Sequence, residues 1–109
     1  MKRADGDRLA DIAAAIDRIR AYLADEGAAD DLRRDAMLYN LVIIGEAVKS
    51  LTGETKAKRA DIPWQQIAGL RDRLAHEYFR IDIAEIEKIV SRDLAPLRSA
   101  ATALRKGRS

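Results

Sequence analysis

The fold is decided by residues 37 to 51, which read Met-Leu-Tyr-Asn-Leu-Val-Ile-Ile-Gly-Glu-Ala-Val-Lys-Ser-Leu. One set of apolar side chains recurs there at alternating spacings of four and three residues: Met37, Leu41, Ile44, Val48 and Leu51. This period is typical of one face of an α-helix. Leu38, Val42 and Ile43 widen the apolar surface, which predicts a helix that lies centrally or carries a subunit interface. We expect it to start near Asp30, a good N-cap, and to stop at Gly53.

A second helix is predicted upstream of this stretch, from about Asp7 to Glu26, and Gly27 can end it. Its apolar residues step by three and four positions: Leu9, Ile12, Ile16, Ile19 and Leu23. Downstream, residues Glu54 to Ile62 are polar and lack an apolar period. We expect this segment to be the one substantial loop.

Two more helices are predicted after the loop. Pro63 suits a first helical turn, so the third helix should run from Pro63 to Phe79, with Trp64 anchoring its start in the core. Its inward side chains are expected to be Ile67, Leu70, Leu74 and Tyr78. Asp82 and Glu85 form a capping box that opens the last helix, and Pro96 should kink or split it. Its inward side chains are expected to be Ile83, Ile86, Val90, Leu97, Ala101 and Leu104.

The composition agrees with an all-α fold, an antiparallel bundle of four to five helices in one domain spanning residues 1–109. Hydrophobic residues make up 48% of the chain and aromatic residues only 5%, and there are only 2 prolines. This mixture favours helix over strand. Short connections between amphipathic helices favour antiparallel packing.

The composition also excludes several kinds of protein. There are no cysteines, which removes disulfide scaffolds and thiolate sites and fits a reducing compartment, so we expect a cytoplasmic protein. Every apolar run, Leu41 to Ile44 included, is far below the ~20 residues of a membrane helix, and the first residues hold no signal-peptide core. We expect no membrane association.

The formal net charge of +2 is too small to identify a nucleic-acid binder. Basic residues cluster in the predicted loop, as Lys56, Lys58 and Arg59, and in the tail, as Arg98, Arg105, Lys106 and Arg108. Each cluster is either a solvated surface or part of a basic binding face.

The one histidine is His76, in Gly-Leu-Arg-Asp-Arg-Leu-Ala-His-Glu-Tyr-Phe-Arg at residues 69–80. At ~100° per residue, Asp72 lies one turn before His76, where its carboxylate can hold a ring nitrogen. Arg71 and Tyr78 are two turns apart and share about the same side. From these residues alone, a catalytic rim and an ordinary helix with ion pairs both stay open. No set of metal ligands emerges, so we expect neither a metal nor a cofactor.

An arginine and a histidine are the groups that metal-free RNA cleavage requires, because the 2′-hydroxyl attacks its own phosphate with the help of a base, an acid and a cation. A single His76 cannot comfortably be base and acid together. Two copies across a two-fold axis can divide these roles, while paired Arg71 side chains clamp the phosphate. If the protein is such a nuclease, its single histidine predicts a site that is shared between two subunits.

Arg71, four residues, His76, one residue and Tyr78 resemble the Arg-x4-His-x-Tyr signature of HepT proteins, the toxin branch of the HEPN superfamily. The landmarks around it are similar too: residues 38–49, Ile-Pro-Trp at 62–64, and Tyr-Phe-Arg-Ile-Asp at 78–82. The similarity spans about Leu9 to Leu97. Three landmarks in the right order are far more specific than the short motif.

The resemblance implies a HEPN-like homodimer with a composite ribonuclease site, an RNA substrate, and an antitoxin partner of the MNT nucleotidyltransferase type. In our leading hypothesis for that site, Arg71 stabilises the transition state, His76 acts as acid and base, Asp72 orients His76, and Tyr78 has a positioning role. Tyr78 is the site at which the partner adds AMP. The family often has Asn where this chain has Asp72, and the acid would either orient His76 better or repel RNA phosphate. The alternative function is a catalytically silent HEPN dimer that binds nucleotide or its partner.

Three polar or aromatic residues outside the motif are interpreted more simply. Glu46 forms either a contact to the motif or an ordinary inter-helix ion pair. Tyr39 and Asn40 are interpreted as packing residues.

Overall fold

The computed structural model describes residues 3–107, and within them it contains helices and turns but no strand. Arg108 of the basic tail therefore lies outside the described residues. The helices are α1 (Arg3–Ala24), α2 (Asp30–Ser50), α3 (Gly53–Ala57), α4 (Trp64–Ala68), α5 (Leu70–Glu77), α6 (Ile83–Ile89) and α7 (Ala95–Arg105). A 3-10 turn (Tyr78–Arg80) follows α5, and a π-helical turn (Val90–Leu94) joins α6 to α7. The all-α prediction is confirmed.

Helices α1 and α2 form an antiparallel hairpin whose two ends are tied by polar contacts. At one end, Arg33 donates through Nε to the carbonyl of Tyr22 at 2.9 Å and through Nη2 to that of Leu23 at 3.2 Å. At the other end, Asp5 is fully buried and accepts hydrogen bonds from Thr52 and Thr55. The start of each long helix therefore meets the end of the other.

The apolar stripes predicted for α1 and α2 face each other in the core. Their fully buried members are Leu9, Ile12, Ile16, Ile19, Met37, Leu41, Ile44 and Val48. Helix α7 packs against α1 and buries Leu97, Ala100, Ala101 and Leu104, while α4 and α5 pack against α2. Each fully buried Leu or Ile contributes about 1.5 to 3 kcal/mol of hydrophobic free energy, so these stripes dominate stability.

The predicted loop from Glu54 to Ile62 contains most of a short helix, α3, so the prediction was wrong over residues 54–57. Thr52 caps α3 by accepting from the Thr55 backbone N–H, and Asp5 binds both threonine hydroxyls. Polar caps rather than an apolar face hold this helix, which explains why it left no hydrophobic period in the sequence.

The third predicted helix is divided. It breaks at Gly69, between α4 and α5, and ends at Glu77, whose φ and ψ of −118° and 11° leave the helical region. Trp64 is buried as predicted, and its indole N–H donates to the carbonyls of Lys56 and Arg59. Ile67, Leu70 and Leu74 are buried as predicted.

Tyr78 is the exception among the inward residues predicted for the third helix, because 36% of it is exposed. The prediction assumed a continuous helix, whereas Tyr78 begins the 3-10 turn. Arg34 of α2 holds this turn by donating to the carbonyls of Tyr78 and Ile81.

The last predicted helix begins as expected, because the Asp82 carboxylate accepts from the Glu85 backbone N–H at 2.9 Å. In a full capping box the Glu85 side chain would also accept from the Asp82 backbone N–H. Here the Glu85 side chain pairs with Arg73 instead. Pro96 lies in the first turn of α7, directly after the π-helical turn. Because proline has no N–H to donate, the backbone adopts a wider turn before it, and the helix is split as predicted.

Candidate nucleic-acid site on α5

Arg71 lies in the first turn of α5 and projects from the bundle. Its side chain is 56% exposed, and its Nε lies 2.7 Å from Oε1 of Glu46 on α2. The inter-helix ion pair considered for Glu46 in the sequence therefore exists, and its partner is the motif arginine. No side chain or backbone group of residues 3–107 makes a hydrogen bond with the Arg71 guanidinium, which leaves its terminal nitrogens available to a ligand.

Asp72 and His76 are also exposed, on the row of α5 next to that of Arg71 and Ala75. Within residues 3–107, no hydrogen bond or ion pair joins Asp72 to His76. The orienting role predicted for Asp72 thus has the right helical spacing but no direct contact in the free chain. Arg73 and Glu77 pair at 2.9 Å, as the sequence predicts, and Glu85 joins them at 2.5 Å.

Tyr78 is held by the first turns of α2. Its hydroxyl donates to Oδ1 of Asp35 at 2.8 Å, and the Arg34 guanidinium carbon lies 4.8 Å from the ring centroid. The hydrogen bond to the Asp35 carboxylate is the main reason that the pKa of Tyr78 is raised, and the nearby Arg34 opposes this in part. The hydroxyl therefore stays protonated and directed at a carboxylate.

Neither Arg34 nor Asp35 could be predicted as part of the site, since neither belongs to a local motif. Only the packing of the 3-10 turn against α2 brings them to Tyr78. The interpretation of Tyr39 as a packing residue was wrong within this chain, because 67% of it is exposed. Asn40 is buried as interpreted and accepts from Arg18 at 2.8 Å.

A shallow groove runs between α2 and the end of α5. It is lined by Val42, Arg71, Leu74, Ala75, Tyr78 and Phe79. Phe79 is 94% exposed and meets the Tyr78 ring edge-on, with centroids 5.4 Å apart. Arg71 and Tyr78 both line this groove, with apolar side chains between them, whereas Asp72 and His76, the other two residues of the expected rim, do not.

The described residues offer a cation and a phenol at the groove and one exposed imidazole on a neighbouring row of α5. In residues 3–107, no group of three or more His, Asp or Glu side chains is placed to hold a metal ion. No helix in the same range is long and apolar enough to cross a membrane. An exposed arginine can bind phosphate, and an exposed histidine can transfer a proton.

A known protein family matches the part of the chain that contains α5. The model of the family described as "Ribonuclease HepT-like" matches residues 12–104, which include the whole of α5 and both partners of the Glu46–Arg71 pair. The chain belongs to this HepT-like family. The resemblance recognised from the motif and its landmarks is confirmed.

Relatives within the HepT-like family are similar over most of the chain. A protein of Thermococcus cleftensis named "Probable ribonuclease HepT" is 36% identical over 110 residues, which cover 97% of this chain and 100% of the relative. A protein of Caldanaerobacter subterraneus subsp. tengcongensis named "Putative RNase TTE0752" is 35% identical, over 75% of this chain and 73% of its own. No solved structure matches the chain.

Proposed function

We propose that this HepT-like chain is a ribonuclease that cleaves RNA without a metal ion, as a homodimer with a composite site. The observation that carries the proposal is the exposed Arg71, five residues before the only histidine, in a chain whose relatives are named as ribonucleases.

The proposed reaction is an internal transfer at phosphorus. One His76 removes the proton from the 2′-hydroxyl, the 2′-oxygen bonds to the adjacent phosphorus, and the bond to the 5′-oxygen breaks. The second His76 gives its proton to that 5′-oxygen. The products are a 2′,3′-cyclic phosphate end and a 5′-hydroxyl end, and Arg71 meets the charge on the phosphorane.

Exposed apolar side chains support a second copy of the chain as the partner across this face. Tyr39 and Phe79 are largely exposed, and Val42 and Ile43 are half buried. These residues line adjoining grooves along α2 and α5. A contiguous apolar surface of this kind is typical of an interaction site, and a two-fold contact here would bring both copies of α5 together.

The proposal includes control by a partner enzyme. We propose an antitoxin of the MNT nucleotidyltransferase type that attaches AMP to the Tyr78 hydroxyl, as the family resemblance implies. The adduct would place a negatively charged phosphate in the groove that Arg71 also lines, where it would occupy the arginine and repel RNA.

One experiment tests the nuclease directly. Purified protein is incubated with total RNA in EDTA, and the new ends are identified chemically. We expect 2′,3′-cyclic phosphate and 5′-hydroxyl ends. Cleavage that needs a divalent ion, or that leaves 3′-hydroxyl ends, would contradict the proposed chemistry.

The same assay distinguishes the ribonuclease from the alternative, a catalytically silent dimer that binds nucleotide or its partner. The observation in favour of that alternative is the lack, within residues 3–107, of any hydrogen bond that orients His76. Intact RNA together with a stable dimer would support it.

A further inference from the structure

We propose that Glu46 is a positioning residue for Arg71. In this inference, which rests on the proposed function, Glu46 holds the Nε edge of the guanidinium so that its terminal nitrogens face the RNA phosphate. The motif does not contain Glu46, and the two residues come from different helices.

The contact itself supports a directed side chain. Oε1 of Glu46 lies 2.7 Å from Nε of Arg71, and the side chains are 47% and 56% exposed. An ion pair at this exposure contributes little to folding stability, since solvent screens it and ordering two long side chains costs entropy. Stabilisation of the fold is therefore a poor explanation for the Glu46–Arg71 ion pair. A guanidinium engaged on one edge keeps its terminal donors for bidentate binding of phosphate.

The backbone beneath the pair fixes where the two side chains begin. A Cβ placed on Gly45 would lie 3.3 Å from the Arg71 backbone nitrogen and 3.4 Å from the Ile67 carbonyl oxygen. Glycine thus permits α2 to approach the start of α5 closely. Since Glu46 follows Gly45, the carboxylate is presented to Arg71 from a fixed point of α2.

The grooves on either side place the pair at the candidate site. Arg71 lines the groove that contains Tyr78 and Phe79, and Glu46 lines the neighbouring groove between α1 and α2. Val42 borders both grooves. A phosphate bound by Arg71 would therefore lie close to the Glu46 carboxylate. If Glu46 positions Arg71, its removal should slow cleavage. If the carboxylate mainly repels phosphate, its removal should speed cleavage.

The kinetic test uses Glu46→Ala and Glu46→Gln with a short RNA in EDTA, and it measures kcat and KM separately. Misplacing a catalytic group by about 1 Å can cost on the order of 100-fold, so we expect Glu46→Ala to lower kcat by about ten- to 100-fold with little change in KM. Gln should restore part of the rate, because its amide oxygen can still lie beside Nε although the charge of the Glu46 carboxylate is lost. Glu87→Ala removes an exposed acid from α6 as a matched control and should cleave like the wild type.

A second measurement does not depend on RNA cleavage. The Arg71 side-chain Nε–H signal is assigned by NMR from its loss in Arg71→Ala, and its exchange with water is measured. We expect slower exchange in the wild type than in Glu46→Ala, with Glu46→Gln between them.

The inference is overturned if Glu46→Ala leaves kcat unchanged, if either variant cleaves faster than the wild type, or if Nε–H exchange is the same in all three proteins. If the wild type does not cleave RNA, the proposed function fails, and the exchange measurement still decides whether Glu46 holds Arg71.

Discussion

Arg71 and His76 have exposed side chains that take part in no hydrogen bond within residues 3–107, so their removal should affect chemistry and not folding. We expect Arg71→Ala and His76→Ala each to lower RNA cleavage on the order of 100- to 10,000-fold. Thermal unfolding should stay within a few degrees of the wild type, and Arg20→Ala, an exposed arginine of α1, should keep full activity. Full cleavage by either site variant at equal concentration would remove that residue from the mechanism.

Tyr78 is the residue at which control should act. Incubation with a cognate nucleotidyltransferase and ATP should add the mass of AMP to the wild type but not to Tyr78→Phe, because the Phe variant lacks the accepting oxygen. Intact mass spectrometry measures this. Tyr39→Phe removes another exposed hydroxyl and should still gain AMP. An equal gain by Tyr78→Phe would place the modification elsewhere.

Asp5 links two helices, because it joins the first turn of α1 to the cap of α3. Burial alone would raise its pKa, but the hydrogen bonds from Thr52 and Thr55 outweigh this and hold the pKa below its usual value of 3.8. A lowered pKa means that the folded state favours the carboxylate. Its stabilisation is therefore complete above the unfolded pKa and is lost as the pH falls through the folded one.

We expect Asp5→Asn to cost on the order of 1 to 3 kcal/mol in the free energy of unfolding at pH 7, from the loss of charge-assisted hydrogen bonds. The difference from the wild type should shrink below about pH 4. Urea unfolding at several pH values measures it, and Asp11→Asn is an exposed control on the same helix. A difference that does not vary with pH would show that the carboxylate charge is not what stabilises this end.

Gly45 controls the approach of α2 to α5. Alanine normally stabilises a helix interior relative to glycine by about 0.5 to 1 kcal/mol, but here its Cβ would press on backbone atoms of Ile67 and Arg71. We expect Gly45→Ala to lose stability on the order of 1 kcal/mol through overpacking and to reduce cleavage. Gly53→Ala, whose Cβ meets nothing within 4 Å, should show no loss. Stabilisation by Gly45→Ala with full activity would contradict a tight contact.

The sequence predicted elements well where a long apolar period specifies them. Helices α1 and α2 were located to within a few residues, because their stripes run over several turns and have glycines beyond their ends. Helix α3 and the break at Glu77 were missed because Asp5 and Arg34 hold them from distant parts of the chain. The same reason applies to the site: the motif is local, whereas the contacts of Arg71 with Glu46 and of Tyr78 with Asp35 exist only after packing.

At the scale of the whole molecule, the apolar surface along α2 and α5 should join two copies. Light scattering should give a mass of twice the 12.1 kDa chain. Tyr39→Glu should weaken the dimer, because it places a charge among apolar side chains. Leu32→Glu, also exposed but lining none of these grooves, should remain dimeric. If Tyr39→Glu dimerises like the wild type, the interface lies elsewhere.

A composite site requires His76 from both subunits for each cleavage. The direct measurement is the activity of a purified mixed dimer, selected by two different tags, in which one subunit is wild type and the other carries His76→Ala. With the roles of base and acid divided, one missing imidazole should lower cleavage on the order of 100-fold or more, close to the loss in the dimer that lacks both. Retention of about half of the wild-type rate would mean that each chain carries a complete site, and the composite mechanism would be contradicted.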